Sequence, residues 1–242
     1  METLQPDPTG AAGFYRELFG WELVGSPEYT VARLRGRDIA GIAALGDAGL
    51  SPRWVTHVRV DGVEDAVNRA TRAGGSVTLG PLDAEPAGRL AALRDPEGAL
   101  FAVWEPAVRE GAQLVNEPGA WAMSSLVSRD PGAAARFYGS VFGWELEEYG
   151  PVGLFRLPGY VGGEPAQPVP QDVVAVMLAG ESPAVWAVDF RVADVDAAVA
   201  CVTRAGGSVP VPPHVRPPAF RSAVVADPAG AVLSISQLVG AG

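Results

Sequence analysis

This chain is written twice. Phe14-Tyr15-Arg16-Glu17-Leu18-Phe19-Gly20-Trp21-Glu22-Leu23 recurs as Phe137-Tyr138-Gly139-Ser140-Val141-Phe142-Gly143-Trp144-Glu145-Leu146, identical at seven of ten positions, and each copy follows an Asp-Pro, at Asp7-Pro8 and Asp130-Pro131. Thr71 to Val77 returns unchanged as Thr203 to Val209, and Asp95-Pro96-Glu97-Gly98-Ala99 matches Asp227-Pro228-Ala229-Gly230-Ala231. The first pair of blocks is offset by 123 residues and the later two by 132, so the second copy carries nine extra residues. They fall within the Gly/Pro-rich stretch 162–172, which reads as a loop. Three matched blocks in one order mean two homologous modules in tandem. The expected division is a first module at 1–106, a linker at 107–119 and a second module at 120–242.

Each module reads as β-α-β-β-β written out twice. Asp7-Pro8 and Asp130-Pro131 suit helix starts, where the missing proline N–H costs nothing, and Gly20 and Gly143 suit helix ends. Tyr29 to Leu34 and Val173 to Leu178 alternate like strands. Trp54 to Val60 and Trp186 to Val192 read as strands leading into helices over Val63 to Ala73 and Val195 to Ala205. Asp-Pro-x-Gly makes a tight turn before a last strand at Leu100 to Trp104 or Val232 to Ser236. Only Met1 to Pro6 precede Asp7, so either the first strand is clipped or the start of the chain is set late.

Composition narrows the chemistry. Among 242 residues every cation is an arginine, histidine occurs only at His57 and His214, and Cys201 is the single cysteine. A disulfide within the chain, a cysteine-based zinc or iron–sulfur site, a Schiff-base lysine and a P-loop lysine are thereby excluded. A net charge of −10 without a basic run argues against nucleic acid or an anionic membrane as partner. No apolar run approaches the roughly 18 residues of a membrane span. These features lead to the expectation of a cytoplasmic protein, a monomer or a homodimer.

Phe14-Tyr15 through Trp21, Val60-Asp61-Gly62-Val63, Ala73-Gly74-Gly75 and Asp95-Pro96-Glu97-Gly98, with their second-copy counterparts, resemble the vicinal oxygen chelate superfamily. That superfamily contains glyoxalase I, the bleomycin-resistance proteins and the extradiol dioxygenases. The likeness is closest to its two-module bacterial subgroup. It implies an α+β fold of tandem βαβββ modules, each a curved sheet with helices on the convex side and an open cup on the concave side. It also implies a small molecule bound in the cup, in many members chelated to a divalent metal. The metal ligands would come from the first strand, the strand leading into Val-Asp-x-Val, and the strand after Asp-Pro-x-Gly.

Strand alternation gives the cup face independently. Trp54, Thr56 and Val58 share one face and Val55, His57 and Arg59 the other; Trp186, Val188 and Phe190 oppose Ala187, Asp189 and Arg191. The resemblance puts metal ligands at Val55 and Ala187, at Ala102 and Ser234, and near Met123 or Ser125, the last matched by Glu2. Only Glu2 offers a usable oxygen, so no metal and no cofactor is expected. The alternative is a relocated divalent-metal centre built from His57, Asp189 and Glu2.

His57 is a candidate general acid or base, or else a half-buried histidine satisfied by a carboxylate such as Asp189 or Glu2. Asp189 holds the equivalent place in the other module. Arg59 and Arg191 either grip an anionic ligand or pair with loop acids at the rim. Trp104 is placed to stack on a flat ligand, and Glu2, Ser125 and Ser234 to contact it. Trp21, Trp144, Trp54 and Trp186 are assigned to the core and Cys201 to a buried helix position. His214 falls in a Pro-rich loop over 210–218 that lids the second cup or is merely exposed. The leading functional expectation is a metal-independent protein binding a small hydrophobic or aromatic metabolite, for sequestration, resistance or transport. The alternative is an enzyme of acid/base isomerisation, cyclisation or lyase chemistry, with a metal-dependent dioxygenase or glyoxalase-type lyase third.

Overall fold

The computed structural model describes residues 1–46, 49–181, 183–216 and 219–239, and within it four β-α-β-β-β units follow one another. The first comprises β1 (Glu2–Gln5), α1 (Pro8–Phe19), β2 (Glu22–Gly25), β3 (Tyr29–Leu34) and β4 (Arg37–Ala44). The second comprises β5 (Arg53–Val55), β6 (His57–Arg59), α2 (Val63–Arg72), β7 (Ser76–Ala84), β8 (Gly88–Arg94) and β9 (Leu100–Pro106). The third comprises β10 (Trp121–Ser128), α3 (Pro131–Phe142), β11 (Glu145–Tyr149), β12 (Val152–Arg156) and β13 (Val173–Ala179). The fourth comprises β14 (Val185–Arg191), α4 (Val195–Arg204), β15 (Ser208–Arg216), β16 (Phe220–Ala226) and β17 (Val232–Leu238). No helix among the described residues is long and apolar enough to cross a membrane.

The second module is one eight-stranded sheet in the order β11-β12-β13-β10-β14-β17-β16-β15. The first follows the same order but as two sheets, β2-β3-β4-β1-β5 and β6-β9-β8-β7. The expected single strand from Trp54 to Val60 is therefore divided. At Thr56 the chain changes partner from β1 to β9, and the Thr56 hydroxyl turns instead to Ser124 Oγ of the other module at 3.0 Å.

The local sequence explains the helix ends. Asp7 and Asp130 cap α1 and α3 by accepting from Gly10 N and Ala133 N, with Pro8 and Pro131 in the first turn. Gly20 and Gly143 close those helices at φ 72° and 74°, a left-handed conformation that favours glycine. In α2 and α4 equivalent last-strand residues complete the start, Glu105 accepting from Val63 N and Gln237 from Val195 N.

The helices pack across the modules, α1 with α4 and α2 with α3, and the core is shared between them. Phe14, Tyr15, Phe19 and Trp21 pack with Phe190, Val195, Val202 and Leu233. Phe137, Tyr138, Val141 and Trp144 pack with Val63, Ala66, Leu93 and Phe101. Thus the first unit buries its apolar face against the fourth, and the second against the third. Trp54 and Trp186 are buried here, as the alternation argument expects.

The repeated motifs interlock in this core. Tyr15 Oη donates to Asp227 Oδ2 at 2.8 Å, and Tyr138 Oη to Asp95 Oδ2 at 2.9 Å. The other oxygen of each aspartate shapes its own Asp-Pro-x-Gly turn, Asp95 Oδ1 accepting from Glu97 N and Ala99 N and Asp227 Oδ1 from Ala229 N and Ala231 N. A Cβ on Gly75 would come within 3.0 Å of the Phe137 ring, and one on Gly207 within 3.1 Å of Phe14. The second glycine of each Ala-Gly-Gly is therefore the seat of the other module's phenylalanine. Burial, then the neighbouring aspartate, pushes both tyrosine hydroxyls well above their ordinary value.

Candidate functional site

Trp54 and Phe190 face each other with ring centroids 4.8 Å apart. His57 and Asp189, on the opposite faces of their strands, therefore point away from one another into separate cups. This corrects two expectations: Asp189 is not the partner of His57, and His57, Asp189 and Glu2 do not assemble a relocated metal centre.

The first cup holds a cavity of about 360 Å³, walled by Glu2, Tyr29, His57, Leu90, Trp104 and Arg109 among others. Glu2 and His57 meet because β1 pairs with β5, Glu2 opposite Val55, and His57 follows Val55 by two residues; Glu2 Oε2 stands 3.6 Å from His57 Nε2. That is long for a hydrogen bond, and His57 Nε2 is buried without another partner. Burial works to raise the Glu2 carboxyl, but His57, then the Met1 amino group and the Tyr29 hydroxyl, outweigh it and hold the carboxyl below its ordinary value. Tyr29 is pushed up to about 12, first by burial and then by the Glu2 charge.

Gly41 permits this grouping. A Cβ there would lie 2.6 Å from Tyr29 Oη and 3.2 Å from Glu2 Oε1. Gly88 plays the same part for Trp104, whose ring would lie 2.6 Å from an added Cβ. The Trp104 indole N–H then donates to the Arg109 carbonyl at 2.9 Å.

Sequence reasoning did not single out Tyr29, Asp38 or Arg109. Arg109 bonds Asp38 Oδ2 at 3.2 Å and lies over the Tyr29 ring at 5.7 Å. Gln113 N donates to the Asp38 carbonyl at 2.8 Å, and Gln113 Oε1 accepts from Asp38 N at 2.9 Å. The stretch 107–113 is thereby strapped along β4 and walls the cavity. None of these residues lies in a repeated block, so the repeat carried no signal for them.

Arg59 is exposed and pairs with Glu110, the loop acid that follows β9. In the second module Ser125 lies on β10, Asp189 and Arg191 on β14, and Ser234 on β17. Asp189 and Ser234 are cross-strand partners, as are Ser125 and Ala187. Asp189 Oδ2 accepts from Ser236 Oγ, which accepts from Arg191 Nη1 at 2.8 Å. Burial raises the Asp189 carboxyl above its ordinary value, against the pull of Ser236 and two arginines. Two further expectations are revised. His214 is exposed, one of its two expected alternatives, but it lies on the strand β15 and not in a loop, with Nδ1 beside the Pro212 carbonyl; alternating apolar residues carry the strand through residue 216, and Pro217-Pro218 lie outside the described residues. Cys201 is half-buried rather than buried, because its helix turns that face toward Glu17 and solvent.

The metal implied by the resemblance does not fit these residues. Val55 and Ala102 are sealed with Leu100 in an apolar cluster under Leu4, Leu50 and Ala92, offering neither a donor nor room for one. Ala187 and Ser234 offer a single hydroxyl, and Arg191 and Arg216 near them oppose a cation.

A profile described as a glyoxalase-like domain matches the chain twice, at residues 3–104 and 123–236. CFP32 of Mycobacterium tuberculosis, named as a candidate glyoxylase, is 33% identical over 95% of this chain and 90% of its own length. The anthracycline biosynthesis protein DnrV of Streptomyces peucetius is 32% identical over 96% of this chain and 90% of its own length. Among solved structures, the manganese-bound glyoxalase from Novosphingobium aromaticivorans aligns over 99% of this chain and 81% of its own, with TM-score 0.66 and 15% identity. The 2,3-dioxygenase LapB from Pseudomonas sp. KL28 aligns over 100% of this chain and 91% of its own, with TM-score 0.65 and 12% identity.

Proposed function

We propose, from the premise that this chain belongs to the glyoxalase-like domain family of the vicinal oxygen chelate superfamily, that it is a metal-independent binding protein whose first cup takes a flat, largely apolar metabolite. One observation carries this reading. Two of the positions at which the resemblance puts metal ligands, Val55 and Ala102, are packed in an apolar cluster, while an aromatic-walled cavity lies open beside them. Its volume of about 360 Å³ falls in the range of small-molecule pockets, about 300–1,000 Å³. Trp104 and Leu90 present apolar faces to the ligand, and Glu2 with His57 forms a polar end that a hydroxyl on the ligand can bridge. The relatives named for anthracycline biosynthesis suggest a polycyclic aromatic hydroxyquinone. We keep 1–106 and 120–242 as the modules, with 107–119 both joining them and walling the site.

Titration of intrinsic fluorescence with an anthracyclinone tests this. One equivalent should bind, a chelator should leave the affinity unchanged, and Trp104→Ala should weaken it by about tenfold or more. Loss of binding in chelator would overturn the metal-independent reading.

A second reading is favoured by the unpartnered His57 Nε2 beside Glu2. Here the same cavity runs proton-transfer chemistry, His57 taking or giving a proton at Nε2 while Glu2 orients it and balances its charge. Product analysis after incubation separates the readings: turnover that disappears in His57→Gln while affinity persists makes this an enzyme.

A further inference from the structure

The second cup uses the frame of the first with opposite chemistry. Moving 132 positions along the chain takes His57 to Asp189, Leu90 to Ser222, Ala102 to Ser234 and Trp104 to Ser236. Apolar walls are replaced by hydroxyl groups at register-equivalent places, since Leu90 faces Trp104 as Ser222 faces Ser236.

The resulting network is buried and unfinished. Asp189 and Arg191 are each 7% exposed, yet they do not touch; Ser236 Oγ stands between them. Among the described residues no carboxylate lies within ion-pair distance of Arg191. Asp189 Oδ1 and Ser222 Oγ are both buried with no hydrogen-bond partner. A buried carboxylate and a buried guanidinium held apart in this way are unfavourable unless something completes them. The Phe220 ring covers the network, with Arg191 4.9 Å and Arg216 5.5 Å from its centre. Two guanidinium groups exclude a metal cation as the missing group and favour an anion. The unpartnered carboxylate oxygen, at the other end, calls for a donor.

We infer that the second cup is a separate site for a small hydroxylated carboxylic acid. The hydroxyl donates to Asp189 Oδ1 and meets Ser222 Oγ. The carboxylate takes the Arg191 N–H groups that Ser236 does not use, and Phe220 swings aside to admit it. The site is independent of what the first cup binds.

Glycerate is the probe, with propionate lacking the hydroxyl and glycerol lacking the carboxylate. Ligand-observed NMR and calorimetry on the full chain should show saturable binding of glycerate and neither control at matched concentration. Arg191→Gln and Ser222→Ala should each weaken glycerate by about tenfold. Ser222→Ala breaks no existing bond, so it keeps the test valid if Arg191→Gln folds poorly. Anthracyclinone titration of the first cup should stay within about twofold in both variants, as expected of separate sites. Glycerate binding no better than the controls, or unchanged in Ser222→Ala, overturns the site and leaves a trapped water as the group that satisfies these oxygens.

Discussion

The Tyr15 hydroxyl reaches from the first helix of one module to Asp227 in the last turn of the other, and Trp54 Nε1 donates back to that hydroxyl at 2.9 Å. Tyr138, Asp95 and Trp186 repeat the arrangement with the modules exchanged. The copies differ in one respect. Asp227 Oδ2 also accepts from Gln5 Nε2 at 2.7 Å, whereas Tyr138 is the one donor to Asp95 Oδ2 among the described residues.

That asymmetry orders two mutants. Tyr138→Phe strands a buried carboxylate oxygen and should cost about 1–3 kcal/mol, while Tyr15→Phe should fall at the lower end of that range. At this chain length each kcal/mol corresponds to about 2–4 °C in melting temperature. Calorimetry of the two variants checks the order, and equal melting temperatures would remove the argument.

Titration of the two cups should pull stability in opposite directions. Glu2 is held below its ordinary value, so its contribution is present above the unfolded carboxylate range and is lost as pH falls through the lower folded value. Asp189 is raised, so the folded state binds its proton more tightly; its contribution is present at low pH and fades as pH rises through the raised value. Urea midpoints from about pH 2 to 8, compared with Glu2→Gln and Asp189→Asn, isolate each group. A difference curve for Asp189→Asn that is flat, or that runs with the sign of Glu2, would contradict its assigned burial.

Gly88 should be intolerant of a side chain for a reason that belongs to the site. Its added Cβ would meet the Glu105 carbonyl at 2.4 Å as well as the Trp104 ring. Gly88→Ala should drive the indole into the cavity, shift tryptophan emission and lower anthracyclinone affinity by about tenfold. Normal affinity with shifted emission would show that Trp104 is not a wall of the site.

Arg109→Ala tests the strap. Without the bonds to Asp38 and the stacking on Tyr29, amides of 107–113 should exchange faster, Gln113 most clearly because it is tied to Asp38. Unchanged exchange there would mean that the Trp104 indole bond, the Gln113–Asp38 pair and the backbone bonds to Ala87 hold the segment without the Arg109 side chain.

Alternation along a single strand was enough to put His57 and Asp189 in cups and Trp54 and Trp186 in the core, because the period of two is a local property of the backbone. Nothing local marks Tyr29 or Arg109. They join Glu2 and His57 only after strands distant in sequence pair, and the position 123 residues beyond Tyr29 is Val152. The segment 107–119, with its prolines and glycines, read as a plain connector, yet Leu114 and Val115 are buried and the Gly119 carbonyl accepts from Trp21 Nε1 at 2.6 Å. The motifs that revealed the duplication misled in a different way. They lie between the modules, away from both cups.

The reciprocal tyrosine–aspartate bonds set unequal freedom to change along this chain. A substitution in either Phe-Tyr helix must suit a turn in the other copy, 212 residues away for Tyr15 and 43 for Tyr138, so neither copy can drift alone at those places. The cup floors answer to no such partner. Duplication has left a pair of chambers free to take up different chemistry, tryptophan and histidine in one, serine and aspartate in the other, behind a joint that holds both copies to a common text.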